Sequence, residues 1–320
     1  MKKIAFLLPE RANIASLENA RQGFLAANSY LSGQGRAPHF SVQTVGAQRE
    51  VKLDDGRIVV HADLTLAELG EVDICVVPPL SGDIAAAVEA NQILVAWLAQ
   101  RFSTGTEVAS LCMGAALPAA GGVLDGQRAV VHWAAQNDYS RMFPRVQWVS
   151  DRIVLAGNGV YTSGGAFSAA HLVLHLIEKY SDRETAIWCA KFFQLDWSRQ
   201  SQLPFSVFAG RKSHPDEVVL RVQAYIEGRF AQRITVEELA AQFFLGRRTL
   251  ERRFREATGN SVLEYLQRVR VEAAKTQLET SRKTVSEVMY EVGYNDTKAF
   301  REVFNKYCGI SPLGYRETYQ

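Results

Sequence analysis

Thr235-Val236-Glu237-Glu238-Leu239 recurs as Thr284-Val285-Ser286-Glu287-Val288, Leu250-x3-Phe254 recurs as Phe300-x3-Phe304, and Gly259-x-Ser261-x-Leu263-x-Tyr265 recurs as Gly309-x-Ser311-x-Leu313-x-Tyr315. One helical unit is therefore written twice between residues 234 and 316. Apolar residues at helical spacing predict helices over 218–229, 236–243, 247–258, 262–279, 285–292 and 296–307, joined by short turns. That is the build of tandem helix-turn-helix units, whose second helices enter the major groove of DNA. In the first unit Leu239 and Phe243 would pack on Leu250 and Phe254, turning Arg248, Glu251, Arg252 and Arg255 outward. In the second, Val288 and Val292 would pack on Phe300 and Phe304, exposing Thr297, Lys298, Arg301 and Glu302. Arg247, Arg253 and Lys306 read as phosphate contacts, which position a protein on DNA without specifying sequence.

The turns and the connecting helix carry their own signals. Gly293 supplies a permissive turn position, and Asn295 or Asp296 can cap the free N–H groups of the next helix. A stripe of Leu266, Val269, Ala273 and Leu278 on the intervening helix would set the spacing between units. Two recognition helices in successive major grooves would stand about 34 Å apart. The blander alternative is a helical protein-binding domain with a solvated basic face. Duplication, short turns and facing cations together favour double-stranded DNA.

Composition bounds the rest. With 320 residues, 47% hydrophobic and 22% charged, the chain suits two packed domains rather than disorder. Residues 211–320 hold 19 Lys and Arg against 15 Asp and Glu, whereas residues 1–210 hold 17 against 19. Five arginines fall in Arg247-Arg248-x3-Arg252-Arg253-x-Arg255, dense enough to neutralise phosphates. Cys75, Cys112, Cys189 and Cys308 lie far apart, with no zinc spacing, which suits a reducing cytoplasm. The apolar run after Met1-Lys2-Lys3 is too short for a signal peptide, and no run is long enough to span a bilayer. No GxGxxG or P-loop pattern occurs, so no cofactor is expected. His171 and His175 have metal-ligand spacing on one helix, but they sit among Leu172, Val173, Leu174, Leu176 and Ile177 without a third ligand. They read as a packed face rather than a metal site.

The first half alternates strands and helices. Short β-rich runs occur at 4–8, 40–45, 74–77, 108–111 and 153–156, with helical patterns at 17–30 and 84–100. That order predicts an α/β layered, flavodoxin-like fold with a largely parallel sheet, whose chemistry lies beyond the carboxyl ends of the strands. There the chain reads Ser110-Leu111-Cys112-Met113-Gly114, with small residues two before and two after a cysteine, the spacing of a nucleophile elbow. A helix N-terminus following it would lower the thiol pKa. A buried cysteine in a strand-to-helix turn has the same spacing.

Cys112-Met113-Gly114-Ala115, the run from Ala120 to Ala129, His132-Trp133 and Tyr161-Thr162-Ser163-Gly164-Gly165-Ala166 resemble the cysteine-elbow and closing segments of the PfpI-like class I glutamine-amidotransferase superfamily, over roughly residues 1–190. The resemblance places Cys112 and His132 at that family's nucleophile and histidine positions. Two features depart from it. Only Glu18 lies near the position of the family's acid, and Pro78-Pro79 stand where a Gly-Gly pair usually donates N–H groups to an oxyanion. These departures favour a non-catalytic ligand pocket built from Ser81, Gly82, Cys112, Met113, His132 and Trp133 over a cysteine hydrolase, a glyoxal-handling enzyme or a redox sensor.

Ile234-Thr235-Val236-Glu237-Glu238-Leu239-Ala240-Ala241, Leu250-Glu251-Arg252-Arg253-Phe254, Val292-Gly293-Tyr294, Phe300-Arg301-Glu302-Val303-Phe304 and Gly309-Ile310-Ser311-Pro312-Leu313 are similar to the AraC-family DNA-binding domain. Phe244 departs from it, because relatives usually have Gly in that turn, and so does Gly246, where a Ser cap is common. The whole chain resembles GlxA-type AraC-family transcriptional regulators. A PfpI-like domain over 1–190, a linker over 191–214 and two helix-turn-helix units over 215–320 are expected. The resemblance also implies a homodimeric activator acting with RNA polymerase and answering to a small, often nitrogen-containing effector.

Overall fold

Ile4, Phe6 and Leu8 of strand β1 (Lys2–Leu8) enter one hydrophobic core while Ala5 and Leu7 enter another. A strand buried on both faces belongs inside a parallel sheet covered by helices on each side. The computed structural model describes residues 1–53 and 56–320 and places β1 there. The chain divides into two units, Met1–Gln202 and Leu203–Gln320.

In the first unit β1 is followed by α1 (Ile14–Gly33), β2 (Phe40–Gly46), β3 (Glu50–Leu53), β4 (Ile58–His61), β5 (Leu64–Thr65) and β6 (Ile74–Val77). Then come α2 (Ile84–Ala90), α3 (Gln92–Ser103), β7 (Glu107–Leu111), α4 (Ala116–Ala120), β8 (Arg128–Val130), α5 (Gln136–Met142), β9 (Gln147–Val149), β10 (Val154–Gly157), β11 (Val160–Ser163), α6 (Ala169–Tyr180) and α7 (Arg183–Phe192). The main sheet has the order β10-β11-β7-β6-β1-β2-β5 and is parallel except for the β10/β11 hairpin. One core joins Phe6 to Phe24 of α1, Leu172 and Leu176 of α6 and Cys189 of α7. The other joins Leu7 and Val77 to Leu98 of α3, Leu117 of α4 and Tyr139 of α5.

The helical pattern over 84–100 is two helices, not one. Asn91 ends α2 because its side chain is engaged elsewhere: Nδ2 donates to Ala87 O (2.7 Å) and Glu10 O (3.1 Å), and Oδ1 accepts from Glu10 N (2.8 Å). A buried amide that satisfies the chain leaving β1 competes with the helix ladder. The short pairs β3/β4 and β8/β9 form separate two-stranded sheets that periodicity did not indicate.

The stretch expected as a linker is shared between the units. Leu195 and Trp197 pack on the first core, and buried Gln202 donates to Val131 O (3.0 Å) and accepts from Trp133 N (3.2 Å). On the other side of the boundary Phe208 meets Tyr265 edge to face, and Gln223 donates to Arg211 O (2.9 Å).

The second unit contains α8 (Glu217–Arg229), α9 (Val236–Gln242), α10 (Arg247–Thr258), α11 (Val262–Thr280), α12 (Val285–Glu291), α13 (Thr297–Cys308) and α14 (Pro312–Tyr319). The repeated residues punctuate these helices. Thr235 with Glu238 and Thr284 with Glu287 form capping boxes that start α9 and α12. Gly259 and Gly309, at φ +73° and +72°, end α10 and α13 in left-handed conformation, after which Ser261 and Ser311 cap α11 and α14. The last repeat therefore hides a short helix, α14, that was not expected. Of the stripe on α11, Leu266 and Leu278 are buried, and Val269 and Ala273 are partly buried against the two cores.

The two turns differ instructively. Gly293 holds φ +87°, and a Cβ there would sit 2.5 Å from Ala231 O. Phe244 occupies the matching turn at φ +54° and is 95% exposed. Left-handed backbone costs a side-chain-bearing residue about 1–2 kcal/mol, and an exposed ring recovers none of it. Thermal unfolding should therefore show opposite signs: Phe244→Gly stabilises by roughly 1 kcal/mol, whereas Gly293→Ala destabilises by about 1–3 kcal/mol.

Candidate functional site

Strand β7 delivers Cys112 to a turn with φ +51°, after which a 3-10 turn (Cys112–Ala115) runs into α4. The elbow expected from spacing is thus present in the backbone. Gly114 is required beside it, because a Cβ there would overlap the carbonyl oxygens of Pro78 and Val77. The chemistry around the thiol does not suit attack. Cys112 is buried, and burial pushes its pKa up to about 11, with the Met113 backbone N–H pulling the other way. Burial also depresses the His132 pKa, so the imidazole stays neutral and its Nδ1 accepts from Ala134 N (3.1 Å). No hydrogen bond joins Cys112 to His132 among the described residues. Glu18 gives both carboxylate oxygens to Arg21 (2.7 and 2.8 Å), with Gln22 donating as well, and the Arg21 bond holds its carboxyl below the usual range. Pro79 offers a carbonyl to Asn13 N (2.8 Å) where an oxyanion donor would be needed.

The six residues expected to form one pocket are distributed. Ser81 and Gly82 line a cavity of about 720 Å³ with Arg11, Asn13, Lys52 and Leu53. Cys112, Met113, His132 and Trp133 are not in that lining. His132 lies against Gly165, where an added Cβ would be 3.3 Å from its ring, and against Trp133 at 5.2 Å between centroids. Tyr139 Oη donates to Met113 O (2.6 Å), which fixes the elbow from α5, a contact that sequence spacing did not reveal.

In the second unit the recognition helices are fixed by what they bury. Leu250 and Phe254 of α10, and Phe300 and Phe304 of α13, are completely buried. On α10 this leaves Arg248, Arg252 and Arg255 exposed along one stripe, with Thr249 beside them. Glu251 is half-buried and accepts from Arg247 (3.3 Å), which also pairs with Glu237 of α9. Arg252 meets Glu256 at 3.1 Å, whereas Arg248 and Arg255 make no hydrogen bond or ion pair among the described residues. Arg253, expected at phosphate, instead grips Asp216, the N-cap of α8, with Nε and Nη2 at 2.8 and 2.7 Å. That pair raises the Arg253 pKa and lowers that of Asp216.

On α13, Thr297, Lys298, Arg301, Glu302 and Lys306 are all exposed, and Asp296 caps the helix by accepting from Ala299 N (2.6 Å). Asn305 is exposed beside them and was not singled out from sequence. The first helix has Gly246 at its cap and no side-chain cap bond. Arg247, the first residue of that helix, pairs at the surface with Glu237 and Glu251.

Residues 28–179 match the DJ-1/PfpI family model, and residues 239–318 match that of a helix-turn-helix domain. The chain is 26% identical to the HTH-type transcriptional regulator GbdR of Pseudomonas aeruginosa, a similarity that spans 99% of this chain and 84% of that protein. It is 34% identical over 112 residues to the HTH-type transcriptional activator RhaS of Klebsiella pneumoniae, covering 35% of this chain and 40% of the relative. In fold it is similar to Drosophila melanogaster DJ-1beta, with a TM-score of 0.51 and 19% identity over 61% of this chain and 98% of the other. An AraC family transcriptional regulator from Pseudomonas putida gives a TM-score of 0.50 and 21% identity, over 60% of this chain and 100% of the other. Among the described residues no helix is long and apolar enough to cross a membrane.

The state of Cys112 is directly measurable. A thiol raised to about 11 is almost wholly protonated at pH 8, while an unfolded thiol near 8.5 is not. Iodoacetamide labelling of the Cys112 peptide at pH 8 should therefore be at least roughly tenfold slower in the native protein than in urea, and should accelerate as pH approaches 11. Equal rates would mean an accessible, activated thiol.

Proposed function

We propose that this chain, which joins a DJ-1/PfpI domain to an AraC-type pair of helix-turn-helix units and so belongs to the transcriptional regulators built that way, reads a two-part DNA site through α10 and α13 and adjusts that reading to a small metabolite held by its first unit. The observation that carries this reading is the pair of buried-face, exposed-cation helices, each introduced by a capped partner helix.

The first helix supplies Arg248, Arg252 and Arg255, and the second Lys298, Arg301 and Lys306, with Thr297 and the acidic Glu302 among them. The two heads therefore favour different base sequences. Arg side chains reach the two acceptors of guanine with paired hydrogen bonds, each worth about 1–3 kcal/mol of discrimination. The exposed Arg252–Glu256 and Arg247–Glu251 pairs do not prevent this, because such surface pairs contribute only about 0–1 kcal/mol and phosphate competes for the same cations.

The effector site of this reading is the cavity bearing Ser81 and Gly82, while the Cys112, Met113, His132 and Trp133 turn lies outside its lining. Glu10, in the same lining, can accept from the ammonium or amide of a nitrogen-containing ligand. The protein acts as a cytoplasmic homodimeric activator that engages RNA polymerase. The name of the RhaS relative supports activation, and four buried, unpaired cysteines support a reducing compartment.

Selection of bound sequences from a random DNA pool by the full-length protein, at fixed salt, tests the reading. Enrichment of two elements about one helical turn apart is expected. Arg248→Ala should relax base preference within one element by about 1–3 kcal/mol, while Lys306→Ala should weaken all sites alike and reduce the salt slope by about one. Arg253→Ala should instead lower the thermal midpoint and leave base preference intact, since Asp216 holds it. Absence of any enriched motif would overturn the proposal.

A further inference from the structure

The two recognition helices are anchored in separate cores. Leu250 and Phe254 of α10 belong to one, which also holds Tyr265, and Phe300 and Phe304 of α13 belong to the other, which also holds Tyr315. Helix α11 runs through both, giving Leu266 to the first and Leu278 to the second, and Phe230 packs on each. Two packed bodies joined along one helix can hinge there, and a further attachment restricts the hinge.

The segment that opens the second unit supplies such an attachment. Phe205, at the end of a 3-10 turn (Leu203–Phe205), meets Tyr319 of α14 edge to face at 6.2 Å. Tyr319 lies 4.7 Å from Tyr315, and Tyr315 meets Phe304 of α13 at 5.6 Å. Three residues on from Phe205, Phe208 meets Tyr265 at 5.2 Å, and Tyr265 meets Phe254 of α10 at 5.3 Å. Aromatic contacts therefore run from one short segment to the buried anchor of each recognition helix. Arg268 of α11 adds a cross-link, its guanidinium 5.0 Å from the Phe208 ring and 5.0 Å from the ring of Tyr307, which follows Lys306 on α13. Phe208 is thus linked to α10 through Tyr265 and to α13 through Arg268.

The backbone of the segment is fixed on either side of this pair. Pro204 O accepts from Tyr319 Oη (3.1 Å), and Ser206 O accepts from the buried Lys275 ammonium. Arg211 O accepts from the fully buried Gln223 (2.9 Å), whose Oε1 accepts in turn from His214 Nε2 (3.0 Å). Gly210 holds φ +67°, where a Cβ would fall 2.1 Å from Tyr265 Oη, so the chain is pressed against the tyrosine that supports α10. We propose that Phe205 and Phe208 are positioning residues, which through Tyr319 and Tyr315, and through Tyr265, hold the two recognition helices at the angle and separation that one two-part DNA site requires. The inference rests on the reading of α10 and α13 given above and adds what sets the spacing between the elements they read. Heads already in register bind together without first being aligned, so removing the brace lowers affinity for the joined site while each head still fits its own element.

The test uses the full-length protein and duplexes built on the sequence it enriches from the random pool. These are the two-part site, the same site with two base pairs added between the elements, and each element alone with the other scrambled. Two added base pairs turn one element by roughly 70° about the duplex axis. The wild type should bind the lengthened site at least roughly tenfold more weakly than the two-part site. The double variant Phe205→Leu and Phe208→Leu keeps apolar side chains in place, so the fold is retained while the ring contacts are lost. It should lose roughly tenfold in affinity for the two-part site, keep wild-type affinity for each single element, and show a smaller penalty for the added base pairs. Phe208→Tyr, which keeps the ring, should behave as the wild type. A wild type indifferent to the added base pairs, or a double variant that matches the wild type on every duplex, would overturn the proposal. So would equal weakening on single elements and on the two-part site, which is what a general loss of packing produces. If the wild type enriches no motif, the reading of the helices fails and this inference falls with it; an enriched motif that the double variant reads as the wild type does removes this inference alone.

Discussion

Complete burial of Leu250 and Phe254, and of Phe300 and Phe304, is the constraint on which the DNA-facing surface rests. A helix advances about 100° per residue, so fixing positions 250 and 254 inward fixes 248, 252 and 255 outward. The aromatic anchors are themselves held by edge contacts, Phe254 on Tyr265 at 5.3 Å and Phe304 on Tyr315 at 5.6 Å. Those tyrosines are the last residues of the repeated glycine-serine motif. Each recognition helix is thus locked from its C-terminal side by the helix that follows it. Truncating a fully buried phenylalanine costs about 3–5 kcal/mol, far more than any exposed ion pair on the same helix contributes. Orientation of the cations is consequently a property of the core, and their pairing with Glu237, Glu251 and Glu256 is an exchangeable surface detail.

The first unit shows how a backbone can keep the geometry of a reactive site without its electrostatics. The left-handed Cys112 and the close approach of Gly114 to Pro78 and Val77 preserve the elbow. A thiolate there would need a neighbouring cation or unspent N–H donors. His132 is held neutral by burial, Glu18 is committed to Arg21, and the residues opposite are prolines. With burial dominating, the protonated thiol is the stable form, which suits a packed turn.

Much of this was legible in the sequence because the signals are local. Strands alternating into two cores, capping boxes, and glycine followed by serine two residues on each write their geometry into a few neighbouring positions. What escaped involves partners far apart in the chain. Asn91 breaks a helix because Glu10 lies beside it, and Arg253 leaves the phosphate-facing set because Asp216, the cap of another helix, meets it with two oxygens. The residues expected to line one pocket divide, because Ser81 and Gly82 line a cavity while the Cys112 turn packs its Gly114 against the carbonyls of Val77 and Pro78. Helix α14 was hidden because its two buried residues, Pro312 and Tyr315, are too few for a periodic signal. Phe244 was visible as a departure from a glycine, and the structure shows that it keeps the glycine's conformation rather than remodelling the turn.

The stretch on either side of the boundary between the units is packed, each part against its own unit. Residues leading up to Gln202 are tied to the first unit through Leu195, Trp197 and the Gln202 side chain, and those after it are tied to the second through Phe208, Arg211 and the buried Lys275, which bonds Ser206 O and Glu272. A long flexible linker would dissipate any change in the first unit, since its ends move independently. Here both approaches to the boundary are packed against their own units. Coupling between units needs no continuous path of contacts between ligand and DNA. It needs only a segment whose order depends on the ligand and whose disorder the recognition helices feel.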